Sequence, residues 1–363
     1  MESIFPDPFN ISNTDYYLIN KQKKNPQYFE AFQFFGEENI EITEETPIEK
    51  LWEYHKTLLS KYHESRKKRE VNEKEKEKEK AVKNTSLLDI KCKIAQKILH
   101  KCIFCENRCE VNRSTKIGKC NVQETRINSI FVHYGEEPEI IPSLTVFFTG
   151  CNLRCVHCQN WDLLNGKSGT LYTPRELAKA ISNFVKRNSK IKNVNFVGGE
   201  PTPHLSFILD CLKELSNIYI EDPNLKKIPS IWNSNMYYSE EASELLDGAL
   251  DFFLADLKYG NDKCAFKVSK RRRYTQIVHR NLLKCNQHAD LLIRHLVLPG
   301  HVECCSKLCA NWCFENLGKS VRYNLMFQYR PEHKATDIEE MARKLTDSEK
   351  VFSNKTYKRI WFN

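Results

Sequence analysis

Apolar residues recur along this chain with two periods, and the change between them marks its organisation. From Pro47 to His63, Ile48, Leu51, Trp52, Leu58, Leu59 and Tyr62 approximate one helical face. From Ser86 to His100, Leu87, Ile90, Ile94 and Ile98, with Leu88, Ala95 and Leu99 between them, do the same. Past residue 140 the pattern becomes short apolar runs. Leu144 to Phe148, Val194 to Val197, Ser230 to Asn233, Phe252 to Ala255, Leu291 to Leu298 and Val321 to Phe327 read as six strands. The clearest intervening helix opens at Thr173-Pro174-Arg175-Glu176, a capping box with proline at its first position, and shows Leu177, Ile181, Phe184 and Val185 on one face. Strands alternating with helices predict an α/β fold of parallel units. Periodicity alone does not separate a barrel from an open doubly wound sheet. Residues 1 to about 35 show no sustained period and predict no element.

A chain of 363 residues can bury one large core and a smaller unit. Its start, MESIFPDPFN, has no basic segment followed by an apolar one, and nowhere are eighteen consecutive residues apolar; neither export nor a membrane span is predicted. Fifteen cysteines in such a chain belong in a reducing, cytoplasmic setting, as metal ligands or core residues rather than disulfides. The net charge of +9 would suit nucleic acid if it were spread over a surface. Instead, nine Lys or Arg against five Glu lie between Arg66 and Lys83. That stretch reads as an exposed helix extension or a linker, so no nucleic-acid partner is predicted. The expected divisions are an extension with its charged linker over 1–83, a helix and cysteine-rich segment over 84–140, a core over 141–335, and a C-terminal helix and tail over 336–363.

Two groups of cysteines carry candidate chemistry. Cys151, Cys155 and Cys158 stand as C-x3-C-x2-C on the loop leaving the first strand's C-terminal end, where barrel enzymes place their active sites. Three thiolates suit zinc or iron-sulfur chemistry and leave one metal position open, as catalysis requires. Cys102, Cys105, Cys109 and Cys120 form a group of four within nineteen residues, enough to saturate zinc or an auxiliary iron-sulfur cluster; spacing does not separate the two. Cys305, Leu308, Cys309, Trp312 and Cys313 fall on one helical stripe and read as core, and Cys264 has no partner at ligand spacing.

The three-cysteine motif after Gly150, followed by Gly198-Gly199-Glu200-Pro201, resembles the radical S-adenosylmethionine (SAM) superfamily, and within it the pyruvate formate-lyase activating enzymes. The resemblance runs from about Cys102 to Ala335. It implies a partial (β/α)6 TIM-type barrel carrying an N-terminal helical extension and a small cysteine-rich segment. It also implies a 4Fe-4S cluster on Cys151, Cys155 and Cys158 whose remaining iron binds SAM, and cleavage of SAM by an electron to a 5'-deoxyadenosyl radical that abstracts hydrogen. His157 occupies the position where the family carries an aromatic residue, and would pack against the adenine. Gly198, Gly199 and Glu200 would meet the amino group of SAM, with Ser234 and Asn235 as further polar contacts. Asp256 and Lys258 would lie near SAM and substrate, and Arg294, a cation in an apolar strand that must meet a carboxylate, would take the carboxylate of SAM. By their place at the end of the sixth strand, the polar residues Gln328, Tyr329, Arg330 and His333 would close the site or receive a protein substrate. The expected partners are a flavodoxin- or ferredoxin-like reductant and a protein substrate, with a glycyl radical enzyme favoured. Another peptide or small molecule, and a zinc-containing nucleic-acid-binding protein, are the competing readings.

Overall fold

The computed structural model describes residues 14–36, 42–71, 85–319 and 321–362. Four helices come first: α1 (Asp15–Asn20), α2 (Gln27–Phe32), α3 (Ile48–Val71) and α4 (Leu87–Ile98). Ser86 caps α4 in a reciprocal box with Asp89, satisfying N–H groups the helix itself cannot. The charged stretch is helical as far as Val71, and its remainder, 72–84, lies outside the described residues.

The six predicted strands are all present, as β2 (Ser143–Phe148), β4 (Asn193–Gly198), β5 (Ser230–Ser234), β6 (Phe252–Asp256), β7 (Asp290–Leu296) and β8 (Arg322–Met326). They pair in parallel and in chain order, and two antiparallel strands, β1 (Arg126–His133) and β3 (Thr170–Leu171), extend the β2 edge. Between and after them run α5 (Pro174–Arg187), α6 (Leu205–Glu221), α7 (Glu240–Leu246), α8 (Asp262–Ser269), α9 (Tyr274–Cys285), α10 (Leu308–Leu317) and α11 (Asp347–Phe362). Strands covered on both faces become almost wholly apolar, and the inner residues of β2, β4 and β5 are buried accordingly.

One face of the sheet packs under the helices, through Val146, Phe196, Trp232, Phe253 and Ile293. On the other, Ile231, Phe252, Leu254 and Leu292 form a separate cluster with Tyr16 of α1 and Ile140 of the β1–β2 loop. This second cluster fills the inside of the partial barrel at the end where the parallel strands begin. The cysteine stripe is only half as expected: Cys305, Cys309 and Cys313 are buried, but Leu308 is 42% exposed, because residues 302–307 form a π-helical turn that shifts the helical phase before α10.

Candidate active site at the strand ends

The loop leaving β2 is held by its own backbone before any metal is considered. Gly150 donates to the carbonyl of Leu163 (2.7 Å), Cys151 to that of Cys120 (3.0 Å) and Val156 to that of Val268 (3.0 Å). Donors also surround the thiols. The Leu153 N–H lies 3.4 Å and Asn235 Nδ2 3.8 Å from Cys151 Sγ, while Ser269 Oγ lies 2.9 Å and the Tyr259 hydroxyl 3.7 Å from Cys155 Sγ. Burial pushes the Cys151 thiol well up and the Cys158 thiol to about 11, with neighbouring thiols adding to both and Glu200 to Cys151. Thiols so placed ionise when a metal takes their protons' place.

Cys155 is buried and Cys151 and Cys158 are half-buried, a donor set of three thiols that fits a cluster in which each thiolate takes a different iron. In the four-cysteine segment the buried guanidinium of Arg113 sits 3.7 Å from both Cys102 Sγ and Cys120 Sγ, and Cys109 is pulled down to about 5, chiefly by the thiol of Cys102.

Glu200 is the polar centre of the neighbouring strand ends. It is 2% exposed; its Oε1 accepts from Ser234 Oγ (2.6 Å) and Thr202 Oγ1 (2.6 Å), and its Oε2 from the Asn235 N–H (3.0 Å). Burial raises its pKa in spite of these donors. Asn235 Nδ2 also donates to Asn152 Oδ1 (2.8 Å), and Asn152 Nδ2 to the Tyr237 carbonyl (3.0 Å). The cysteine loop, GGEP and the end of β5 are thus one hydrogen-bonded unit. The paired glycines also let segments of the chain's own backbone approach one another. A Cβ on Gly199 would lie 2.1 Å from the Gly150 carbonyl oxygen, and one on Gly198 2.2 Å from that of Phe148. What comes close is the chain's own backbone.

Asp256 and Lys258 do point the same way and pair at 2.7 Å, with side chains 29% and 25% exposed. The thiols of Cys155 and Cys158 act on the same ammonium, and with Asp256 they raise its pKa against the opposing effect of burial. His157 is buried beside the rings of Tyr259 (6.4 Å) and Tyr329 (6.3 Å), and its Nδ1 has no hydrogen-bond partner. Burial lowers its pKa to about 3, so the ring is neutral.

Arg294 is the cation expected to take the carboxylate of SAM. It does meet carboxylates, but they belong to the chain: Nε donates to Glu137 Oε1 (2.8 Å), Nη2 to Glu137 and Glu136, and Asn324 Nδ2 also donates to Glu137 Oε1 (2.8 Å). Strand alternation indeed turns this cation inward; the β1–β2 loop, which carried no pattern in the sequence, supplies the anions. Tyr329 is buried, its hydroxyl donating to the Met341 carbonyl (2.7 Å), whereas the Arg330 side chain is 65% exposed. Sequence reasoning missed Asn152, Tyr259 and Ser269, since a single Asn, Tyr or Ser carries no spacing signal.

The site is a half-barrel with three thiols at its strand ends and a buried carboxylate web beside them, and comparison with known proteins names its class. The Radical SAM superfamily matches residues 145–307. The chain is 44% identical over 271 residues to the uncharacterized protein MJ0674 of Methanocaldococcus jannaschii, covering 73% of this chain and 76% of that one. It belongs to the radical SAM superfamily, whose chemistry rests on a 4Fe-4S cluster and SAM. The pyruvate formate-lyase-activating enzyme of Clostridium pasteurianum is 39% identical over 160 residues, and pyruvate formate-lyase 1-activating enzyme of Escherichia coli K12 25% over 159; each match covers 42% of this chain and about three-fifths of the relative. Among solved structures, Streptococcus suis SuiB bound to precursor peptide SuiA aligns with a TM-score of 0.41 at 17% identity, over 58% of this chain and 44% of that one. No helix among the described residues is long and apolar enough to cross a membrane.

Proposed function

We propose that Cys151, Cys155 and Cys158 hold the 4Fe-4S cluster and that SAM binds against Glu200, Ser234, Asn235, Asp256 and Lys258, with His157 beside the adenine. The observation that carries this reading is Asn235: its side chain reaches Cys151 Sγ at 3.8 Å while its backbone N–H donates to Glu200 at 3.0 Å. One residue thus joins the candidate cluster loop to the candidate carboxylate for the amino group of SAM. Held there, the cluster would pass an electron from an external reductant to the sulfonium of SAM, the chemistry that gives methionine and a 5'-deoxyadenosyl radical.

The chain's own part is to orient and to exclude water. Glu200, fixed by four donors from Thr202, Ser234 and Asn235, presents Oε2 to an ammonium group without needing to reorganise. Lys258 and Asp256 offer one cation and one anion beside the thiols. Buried Tyr259 and neutral His157 provide an apolar wall with one unsatisfied nitrogen. The four-cysteine segment serves as an auxiliary metal site, and a flavodoxin- or ferredoxin-like protein as the reductant.

For substrate, the likeness to the activating enzymes supports hydrogen abstraction from a glycine of a partner protein: the hydrogen moves from Cα to the 5' carbon, leaving a glycyl radical and 5'-deoxyadenosine. Anaerobic reconstitution with iron and sulfide, followed by reductant and SAM, is expected to release 5'-deoxyadenosine. A yield no higher than that of Cys155→Ala defeats the SAM assignment. Deuterium transfer from an α-deuterated glycyl substrate into 5'-deoxyadenosine tests the substrate class separately.

A further inference from the structure

The thiols of Cys264 on α8 and Cys304 on the π-helical turn 302–307 lie 3.6 Å apart, and Cys304 Sγ lies 3.5 Å from His301 Nδ1. Cys305 Sγ completes the group, all four ligand atoms lying within 4.8 Å of one another. These four belong to neither candidate cluster loop. Two sulfurs bound to one tetrahedral zinc at about 2.3 Å stand about 3.8 Å apart, and a sulfur and an imidazole nitrogen about 3.6 Å apart. The observed separations match both values. A disulfide, with sulfurs about 2 Å apart, does not.

The surroundings favour a metal over three unliganded thiols. His301, 4% exposed, turns one ring nitrogen to the thiols and the other toward Glu340 Oε1 at 3.6 Å, the carboxylate-histidine arrangement that orients metal-bound imidazoles. Asn261 fixes both sides of the group, donating from Nδ2 to Cys264 Sγ (3.3 Å) and to the Cys304 carbonyl (2.7 Å). Gly260 permits the two segments to meet, since a Cβ there would lie 2.8 Å from the Cys305 carbonyl oxygen.

We propose that Cys264, His301, Cys304 and Cys305 form a structural zinc site of the Cys3His type, clamping α8 to the turn between β7 and α10. Four protein ligands leave no position for substrate, so its role is positional. The helix it fixes is the one whose last residue, Ser269, donates to Cys155. The long sequence separation of Cys264 from the other three ligands hides the set from any spacing rule.

The test uses the full-length chain, purified anaerobically and supplied with zinc before desalting. Zinc, iron and sulfide are measured per chain in the wild type, Cys264→Ser, Cys304→Ser and, as a control, Cys211→Ser, a buried thiol outside every candidate site. Wild type and control are expected to hold one zinc per chain more than the two site variants. Equal zinc in all four, or none in the wild type, overturns the proposal. Iron and sulfide in the same samples report the radical cluster separately. A second measurement needs no variant: in wild type, partly exposed Cys304 is expected to resist alkylation, with Cys264, until a chelator frees both together. Alkylation of Cys304 before chelation, or its recovery in a disulfide with Cys264, overturns the proposal.

Discussion

The backbone N–H of Cys151 donates to the carbonyl of Cys120 at 3.0 Å, so the last cysteine of the four-cysteine segment and the first of the three-cysteine loop are joined through their backbones. His204 holds the same junction from beneath: its Nε2 donates to the Thr149 carbonyl (2.9 Å), and its ring stacks on Phe148 at 4.8 Å. Displacement of either cysteine segment is therefore transmitted to the other.

Gly199→Ala drives a methyl group into the Gly150 carbonyl. The expected result is a loss of about 1–3 kcal/mol of stability, together with reduced iron retention, because the strain falls at the root of the cysteine loop. Thermal unfolding and iron per chain check it; an unchanged variant on both counts contradicts the packing described.

Ser269→Ala removes the nearest donor to Cys155 Sγ, at 2.9 Å. Hydrogen bonds to cluster sulfurs stabilise the reduced, more negative state. The variant is expected to keep its iron but to show a midpoint potential lower by roughly 40 mV, the one-electron equivalent of about 1 kcal/mol. Spectroelectrochemistry reads this shift, and a potential equal to wild type would show that the hydroxyl does not reach the cluster.

Arg294→Leu strands the buried carboxylate of Glu137 and is expected to cost about 3–5 kcal/mol, whereas Glu137→Leu leaves Arg294 paired with Glu136 alone and is expected to cost less. The double variant should be more stable than the sum of the two losses implies, since the Arg294 and Glu137 charges leave together and only Glu136 loses its partner. Chemical denaturation of the four proteins closes the cycle. Simple additivity would return Arg294 to the role of a free ligand for a carboxylate outside the chain.

Burial lowers the His204 pKa from 6.5 to about 3. Below pH 6.5 the unfolded chain takes up a proton that the folded ring refuses, so this contribution to stability is whole above 6.5 and is lost as pH falls toward 3. His204→Asn should make stability less steeply dependent on pH across that window. Parallel curves for variant and wild type would rule out His204 as the titrating group.

The strands and principal helices were legible because parallel strands covered on both faces leave continuous apolar runs, and capping boxes such as Thr173–Glu176 mark helix starts. β1 was not: a register shift between Ile127 and Ser129 interrupts its alternation, and most of its residues are only partly buried. Within the candidate site, closely spaced residues could be read as motifs, which is why Asp256 and Lys258 emerge together as expected. Arg294 could be read only as a cation in need of an anion. Its partners lie on a loop more than 150 residues earlier in the chain, and only folding reveals which carboxylates arrive first.

The packing of Tyr16 and Ile140 against Ile231, Leu254 and Leu292 stoppers the barrel from below. Among the described residues that end of the barrel is filled, and the strand ends that carry the cysteine loop lie at the other. Traffic through a blind alley is sequential, so a polymeric reactant is best served by offering an exposed tip or loop rather than by threading through.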